Sequence, residues 1–342
     1  MKVNVWNTIR QLSKERKVDP GVIVNAIEES LRFISSKYFN YDENIHINFN
    51  PEKGELRIYT IKLISKNPQD SATEISLEEA KKIDAAAEPG NYIEIDLPSE
   101  TLGRISAQAA KQVIFQKVSY AEQEKIYKEY APRIGEILTG VMRRLESNQN
   151  MILEVDKTDV LLPFRETIPN EKFRRGDRIK AVIVQVLKEA RGPQIIVSRK
   201  DARFLTKLLE IETPEIADGT IIIKDIIRQP GERSKVSIIC NQKNIDPIGA
   251  CIGVRGNRIL SISKELRGEK IDVVEWSQDP VTYAKSALSP AKIDHAYILN
   301  RREKIIQVEV SRDQLSLAIG KKGLNVRLAS KLVGWKIDIK RN

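Results

Sequence analysis

The chain contains one structural unit twice near its C-terminus, and this repeat restricts the fold more than any other feature. Gly253-Val254-Arg255-Gly256 and Gly320-Lys321-Lys322-Gly323 each follow an isoleucine and open an apolar run with helical spacing that ends in Lys-Ile-Asp. Gly253 to Ile271 is 18 positions and Gly320 to Ile337 is 17. Such self-similarity indicates duplication of a supersecondary unit.

Periodicity predicts the same element order in both copies, namely helix, strand, strand, helix, GxxG, helix, strand. The predicted elements are 202–209, 220–228, 235–240, 247–251, 257–266 and 270–276 in the first copy, and 280–287, 292–299, 303–310, 312–319, 324–332 and 335–340 in the second. A GxxG turn with basic central residues between two helices is the backbone clamp of KH RNA-binding domains. We therefore expect two tandem prokaryotic-type KH domains, at 201–278 and 279–342.

The GxxG turn suits phosphate because glycine allows a positive φ and leaves room where a Cβ would collide with the RNA backbone. The helix that follows presents unpaired N–H groups and its positive dipole end. Neighbouring apolar residues could line a base-binding groove or belong to the ordinary core. The candidate RNA-binding residues are Gly253, Val254, Arg255, Gly256, Arg258 and Lys264 in the first copy and Gly320, Lys321, Lys322, Gly323, Asn325 and Arg327 in the second.

Residues 132–200 have closely spaced β runs that predict an OB-fold β-barrel. The expected strands are 136–145, 151–155, 160–162, 178–187 and 194–198. Phe164 and Arg165 follow the third run and are candidate RNA-binding residues, because an exposed ring beside a guanidinium stacks bases. A Phe164 that closes the end of the barrel is the alternative.

Residues 1–131 predict an N-terminal α/β domain with a long helix. An amphipathic helix is expected after Asp19-Pro20, then strands at 45–49 and 56–61 around the turn Pro51–Gly54, and a third strand at 92–97. Arg104–Tyr130 lacks Pro and Gly and predicts a helix of about 40 Å that ends before Pro132. This helix could be a docking surface or a rigid connector. The fold class is α+β, with four domains.

Charge is distributed unevenly among these segments. The numbers of basic (Lys+Arg) and acidic (Asp+Glu) residues are 18 and 20 in 1–131, 14 and 9 in 132–200, 12 and 12 in 201–278, and 13 and 6 in 279–342. The whole chain has 57 basic and 47 acidic residues. A basic surface attracts phosphate where it lies. The barrel and the last copy therefore suit RNA, whereas the first segment does not.

Several other classes of function lack support in the sequence. The two cysteines and two histidines have no metal-ligand spacing, so we expect no metal and no cofactor. Gly249-x-x-x-Gly253-x-x-Gly256 could be a dinucleotide fingerprint, but no apolar strand precedes it. No stretch approaches the roughly 20 apolar residues of a membrane span, and we expect a cytoplasmic protein that is not an enzyme.

Several longer runs are distinctive, namely 246–253, 268–274, 287–291 and 318–332, the barrel segment Leu162–Glu166, and Gly103–Ile114. Together they resemble the NusA family of bacterial transcription elongation and termination factors. The resemblance covers essentially the whole chain. It implies a non-enzymatic regulator whose residues 1–131 bind the RNA polymerase core near the RNA exit channel, while the barrel and both KH domains bind nascent single-stranded RNA.

The family resemblance also implies effects on pausing, intrinsic termination and antitermination, with other Nus antitermination factors as partners, no membrane contact and a monomeric state. An alternative is an RNA chaperone or ribosome-assembly factor with the same KH and OB modules and no polymerase partner. A nuclease is a further alternative, for which the acidic residues of the first segment would have to form a metal site.

Overall fold

The computed structural model describes residues 10, 13–14, 19–22, 24–25, 28–29, 45–50, 55–71, 73–96, 105–242 and 244–341. The chain divides into two compact units, Met1–Lys128 and Glu129–Asn342. Most of the helix expected after Pro20, the turn at 51–54 and Gly103-Arg104 lie outside the described residues.

The first unit contains a four-stranded sheet in which the long central strand pairs with all three others. Its elements are β1 Ile45–Asn50, β2 Glu55–Ser65, β3 Glu74–Ser76, α1 Leu77–Ile83, β4 Tyr92–Asp96 and α2 Ile105–Tyr130. The first, second and fourth strands and α2 agree with the predicted elements. The sequence patterns did not predict β3 and α1, although Ser76 and Glu79 have the spacing of a capping box and Glu79 N donates to Ser76 Oγ at 3.3 Å.

The second unit begins with a closed five-stranded barrel of order β5-β6-β7-β9-β8. Its strands are β5 Ile137–Leu145, β6 Met151–Val155, β7 Thr158–Leu162, β8 Arg178–Val186 and β9 Ile195–Ser198. The parallel pairing of β7 with β9 closes the barrel. Val160, Leu162, Ile183 and Ile195 share one face of the strands and are fully buried inside it, and the predicted OB-type barrel is confirmed.

The two repeats then follow with matching topology. The first contains α3 Ala202–Glu212, α4 Pro214–Ala217, β10 Ile221–Gln229, β11 Arg233–Cys240, α5 Pro247–Ile252, α6 Asn257–Glu265 and β12 Lys270–Glu275. The second contains α7 Pro280–Ala287, β13 His295–Asn300, β14 Ile305–Val310, α8 Leu315–Ile319, α9 Leu324–Val333 and β15 Lys336–Arg341. In each sheet the middle strand pairs antiparallel with the first and parallel with the last. The α-β-β-α-α-β order is confirmed, with the short α4 as an addition.

Two buried arginines join the barrel to the first repeat. Arg199 pairs with Glu171 at 2.8 Å and with Glu265 of α6 at 2.9 Å. Arg228 of β10 pairs with the fully buried Glu269 at 2.7 Å, and its NH1 donates to the carbonyl of Arg199 at 2.8 Å. Buried charges are tolerated only when they are paired and hydrogen-bonded, so these contacts restrict how the two parts pack.

The second repeat packs its helices α7 and α9 against the sheet of the first. Ile227 and Val274 project from that sheet into the core of the second repeat. Strand register places Tyr297 and Lys340 at the equivalent positions of the second sheet, and both are exposed. Lys340 stands where the first sheet has Val274, and its charge suits a sheet face that is open to solvent. The apolar Ile227 and Val274 favour the burial of the first sheet under the second repeat.

Candidate nucleic-acid interface

The two GxxG turns have nearly the same backbone. Gly253 has φ 77° and ψ 172°, and Gly320 has φ 73° and ψ 171°. The third residue of each turn is left-handed, with φ 54° at Arg255 and 53° at Lys322. The two closing glycines are left-handed as well, with φ 77° at Gly256 and 70° at Gly323. Both turns therefore hold a backbone conformation that side chains with a Cβ disfavour.

The first and last glycines of each turn have different surroundings. A Cβ added at Gly320 would lie 2.7 Å from Asn325 Cβ, and one added at Gly253 would lie 2.3 Å from the side-chain oxygen of Asn257. At Gly323 an added Cβ would meet no described heavy atom within 4 Å, and at Gly256 only Leu260 Cδ1 at 3.9 Å. The first glycine is thus required by internal packing, while the last opens onto free space where another chain can approach.

Helices α6 and α9 begin directly after the closing glycines, which occupy their N-cap positions. Glycine has no side chain that could accept hydrogen bonds from the first turn. N–H groups at a helix start without a side-chain cap bind anions, and the helix dipole adds to this attraction. Each turn therefore combines a close backbone approach with an anion-binding helix end.

The cationic side chains of the turns are exposed, namely Arg255, Lys321 and Lys322. Val254 is 80% exposed. The second turn borders a groove of about 630 Å³, and its exposed basic lining residues are Lys270, Lys321, Lys322 and Arg327. Glu232 is the acidic residue of that lining. This groove can hold a phosphate backbone by charge as well as by shape.

Three of the sequence-predicted site residues lie outside the exposed surface of the GxxG turns. Asn325 is fully buried, and its Nδ2 donates to the carbonyls of Leu317 at 3.1 Å and Ala318 at 3.2 Å, so its side chain does not face a ligand. Arg258 NH1 donates to the carbonyl of Ala250 at 2.7 Å. Lys264 is exposed two turns along α6, in a different groove of about 550 Å³. The amide of Asn325 is used inside the fold, and the assignment of Asn325 to RNA binding stays a prediction.

Most of the apolar residues near the turns belong to the core. Val273 and Ile337 are buried, and Ile259 and Ile271 pack against the core of the first repeat. The exposed apolar residues beside the turns are Ile252, Val254, Leu260, Leu317 and Ile319. These exposed side chains form the surface that bases can contact next to each clamp.

Phe164 lies outside the barrel core, with 55% of its surface exposed. It starts a single 3-10 turn after β7, and its N–H donates to Asn150 Oδ1 at 3.0 Å. Arg165 beside it is exposed, and both line a shallow cavity of about 550 Å³. The ring therefore does not close the end of the barrel, and its free face can stack on a base.

The tertiary structure brings several residues to these surfaces that no sequence pattern had predicted there. Arg233 and Lys270 belong to the first repeat, yet they line the groove of the second turn. Asn148, Asn150 and Gln185 line the cavity beside Phe164. No local motif identifies them, because only the packing of separate elements places them there.

We also searched the described residues for a metal site, a reactive thiol and a membrane-spanning helix. These residues contain no cluster of three or more His, Cys, Asp or Glu side chains that could hold a metal ion. Cys251 is fully buried, and burial raises the pKa of its thiol to about 11, so it is not a reactive thiolate. Among the helices that the structure describes, none is both long and apolar enough to cross a bilayer.

Comparison with known proteins gives matches along the chain. Family models for the NusA N-terminal domain, the NusA-like first KH domain and the NusA-like second KH domain match residues 4–124, 199–276 and 280–342. The transcription termination/antitermination protein NusA of Halalkalibacterium halodurans is 43% identical over 340 residues, which are 99% of this chain and 88% of that protein. The Bacillus subtilis protein of the same name is also 43% identical, over 99% of this chain and 91% of its own length.

The protein of that name from Thermus thermophilus is 38% identical, over 96% of this chain and 87% of its own length. The matched family models agree with the two expected KH domains and with the expected N-terminal domain. The chain belongs to the NusA family.

Proposed function

We propose that this chain is a transcription regulator that binds RNA polymerase and nascent single-stranded RNA at the same time. Residues 1–131 bind the polymerase core near the RNA exit channel. The barrel at 132–200 and the KH domains at 201–278 and 279–342 hold the emerging RNA. The regulator modulates pausing, intrinsic termination and antitermination together with other Nus antitermination factors, as a cytoplasmic monomer without catalytic activity.

The observation that supports RNA binding is the open space beside the closing glycine of each GxxG turn. Gly256 and Gly323 face free space, they are the N-cap residues of their helices and have no side chain to cap them, and exposed cations flank them. All three features favour a phosphate-sugar backbone over a neutral ligand. Phe164 adds a stacking surface on the barrel, so the RNA path includes Phe164 and Arg165.

The polymerase part follows from the relatives and from charge. The relatives that match the whole chain are named transcription termination/antitermination proteins. Residues 1–131 carry 18 basic against 20 acidic side chains. A nearly neutral segment suits docking on a protein, and this segment lacks the net positive charge of the barrel and the second repeat, which favours phosphate.

The test is a single-round transcription assay on a template with a hairpin-stabilised pause, using the cognate polymerase and the full chain. We expect the pause lifetime to increase with the wild type. The double variant Gly256→Asp, Gly323→Asp should lose most of this increase while it still co-purifies with core polymerase, because the substitutions affect only the clamps.

Two results would contradict the proposal. Co-purification with ribosomal particles and an unchanged pause lifetime would favour an RNA chaperone or ribosome-assembly factor. Degradation of an end-labelled RNA that requires Mg²⁺ or Mn²⁺ would favour a nuclease. The matched control is Gly334→Asp, since this glycine also has a positive φ, of 73°, but lies at the opposite end of α9 from Gly323.

A further inference from the structure

Asn325 lies two residues after the closing glycine of the second turn, and it links the elements around that turn. Its Nδ2 donates to the carbonyls of Leu288, Leu317 and Ala318 at 3.0, 3.1 and 3.2 Å. Its Cβ would be 2.7 Å from a Cβ at Gly320. Asn325 therefore determines where α8 ends, where α9 begins and how Gly320 turns between them.

The fourth partner of Asn325 comes from the first repeat. Arg233 NH1, at the start of β11, donates to Asn325 Oδ1 at 3.2 Å. Arg233 is only 15% exposed, and its Nε lies 3.5 Å from Asp272. Asp272 also pairs at 3.0 Å with the fully buried Lys235, whose Nζ donates to the carbonyl of Ser289 at 2.8 Å. The strand pair of the first repeat thus holds the guanidinium against the clamp of the second.

In the first repeat, the residue at the equivalent position takes all its partners from its own repeat. Arg258 occupies the position of Asn325, two residues after its closing glycine, and donates to the carbonyl of Ala250 at 2.7 Å. Ala250 is equivalent to Leu317, since each precedes its first glycine by three positions. The charged partner of Arg258 is Glu215, at 3.1 Å, in α4 of the same repeat. The second repeat begins directly with α7 and receives its partner from its neighbour.

We propose that Arg233 is a positioning residue for the second clamp, which reaches its RNA-binding geometry only while the second repeat is packed on the first. Arg233 acts through Asn325 and not by contact with phosphate. This inference rests on the proposed function of the GxxG turns in RNA binding. It assigns to the first repeat, which has no net charge, a role in binding at the second turn.

The test is a double-mutant cycle on the full chain, with RNA affinity measured by fluorescence anisotropy. The probe is an end-labelled adenosine-cytosine repeat RNA of roughly 16 nucleotides, long enough for two clamps of about four nucleotides and a barrel site. Arg233→Met, which keeps the apolar stem, is expected to weaken binding on the order of tenfold, as coupled neighbours do. In the Gly323→Asp background the same change should have almost no effect, whereas in the Gly256→Asp background its full effect should remain.

A salt series separates positioning from direct contact. Loss of one phosphate contact lowers the slope of log affinity against log salt by about 1. We expect Lys322→Gln to lower the slope and Arg233→Met to leave it unchanged. A lowered slope for Arg233→Met, an effect that is additive with Gly323→Asp, or no effect at all would each overturn the inference.

Two controls keep the outcome interpretable. If Arg233→Met unfolds at the assay temperature, Arg233→Lys takes its place, because lysine keeps the charge beside Asp272 but lacks the planar fork that reaches both partners. If Gly323→Asp itself leaves RNA binding unchanged, the proposed RNA clamp fails. If Gly323→Asp weakens binding and Arg233→Met does not, only the positioning role fails.

Discussion

Replacing Gly323 or Gly334 with aspartate gives a matched pair of perturbations at the two ends of α9. Gly323 has φ 70° and ψ 17°, and Gly334 has φ 73° and ψ 18°. At both positions an added Cβ would meet no described atom within 4 Å. Left-handed backbone costs a residue with a Cβ about 1 kcal/mol, so the conformational cost is the same for both variants.

The helix dipole affects the stability of the two aspartate variants in opposite directions. A carboxylate at Gly323 lies at the positive end of α9, while one at Gly334 lies at the negative end, and each such interaction is worth about 0.5 kcal/mol. Gly323→Asp should therefore be at least as stable as Gly334→Asp. Weaker RNA binding by Gly323→Asp alone cannot then be attributed to unfolding.

The expected loss of affinity follows from charge repulsion. A carboxylate about 4 Å from a phosphate raises the free energy of the complex by about 1 kcal/mol in water and by about 4 kcal/mol at an effective dielectric constant of 20. For an exposed clamp we expect about 2 kcal/mol, which is roughly a thirtyfold loss of affinity. Gly334 lies about 16 Å along the helix, beyond the screening length of about 10 Å at 0.1 M salt, and Gly334→Asp should change affinity less than about twofold.

The assay is fluorescence anisotropy with a labelled single-stranded RNA at several salt concentrations, together with thermal unfolding of both variants. Equal losses of affinity in the two variants would refute the assignment of the clamp to Gly323. So would wild-type affinity of Gly323→Asp at low salt, where repulsion is strongest.

Three further changes test other parts of the structure. Glu269→Gln removes the charge that faces the buried Arg228, and it should lower the free energy of unfolding, measured in urea, by about 3–5 kcal/mol. The control Glu94→Gln removes one partner of a half-exposed ion pair and should lower the free energy of unfolding by less than about 1 kcal/mol. The pKa of Cys251 is about 11 in the folded chain against 9.0 ordinarily, so the unfolded chain loses this proton first and stability falls as pH rises from 9.0 towards 11. The free energy of unfolding should therefore decrease less steeply over that range in Cys251→Ala, and equal slopes would contradict the assigned burial. Phe164→Ala should weaken RNA binding about tenfold with an unchanged unfolding midpoint; a lowered midpoint with unchanged affinity would show that the ring serves the barrel.

Local patterns sufficed for most elements of the second unit. The GxxG repeats, the strand alternation and the turn residues of the barrel each act over a few neighbouring positions, and the structure confirms the elements that they predict. The three-residue β3 and the four-residue α4 were missed because such short segments contain too few positions for a period to be recognised. The capping box at Ser76 was the available signal for α1.

The composition of each clamp was determined by the sequence alone, because the turn needs glycines at fixed spacing, a helix start and nearby cations, all of which are contiguous in the chain. Only the tertiary structure decided the roles of Arg258 and Asn325, which occupy equivalent positions but hold their turns through different partners. It also brought Arg233 and Lys270 of one repeat to the groove of the other. The physical reason is that hydrogen bonds and charges act across a few ångströms of space between buried surfaces, whatever the separation along the chain.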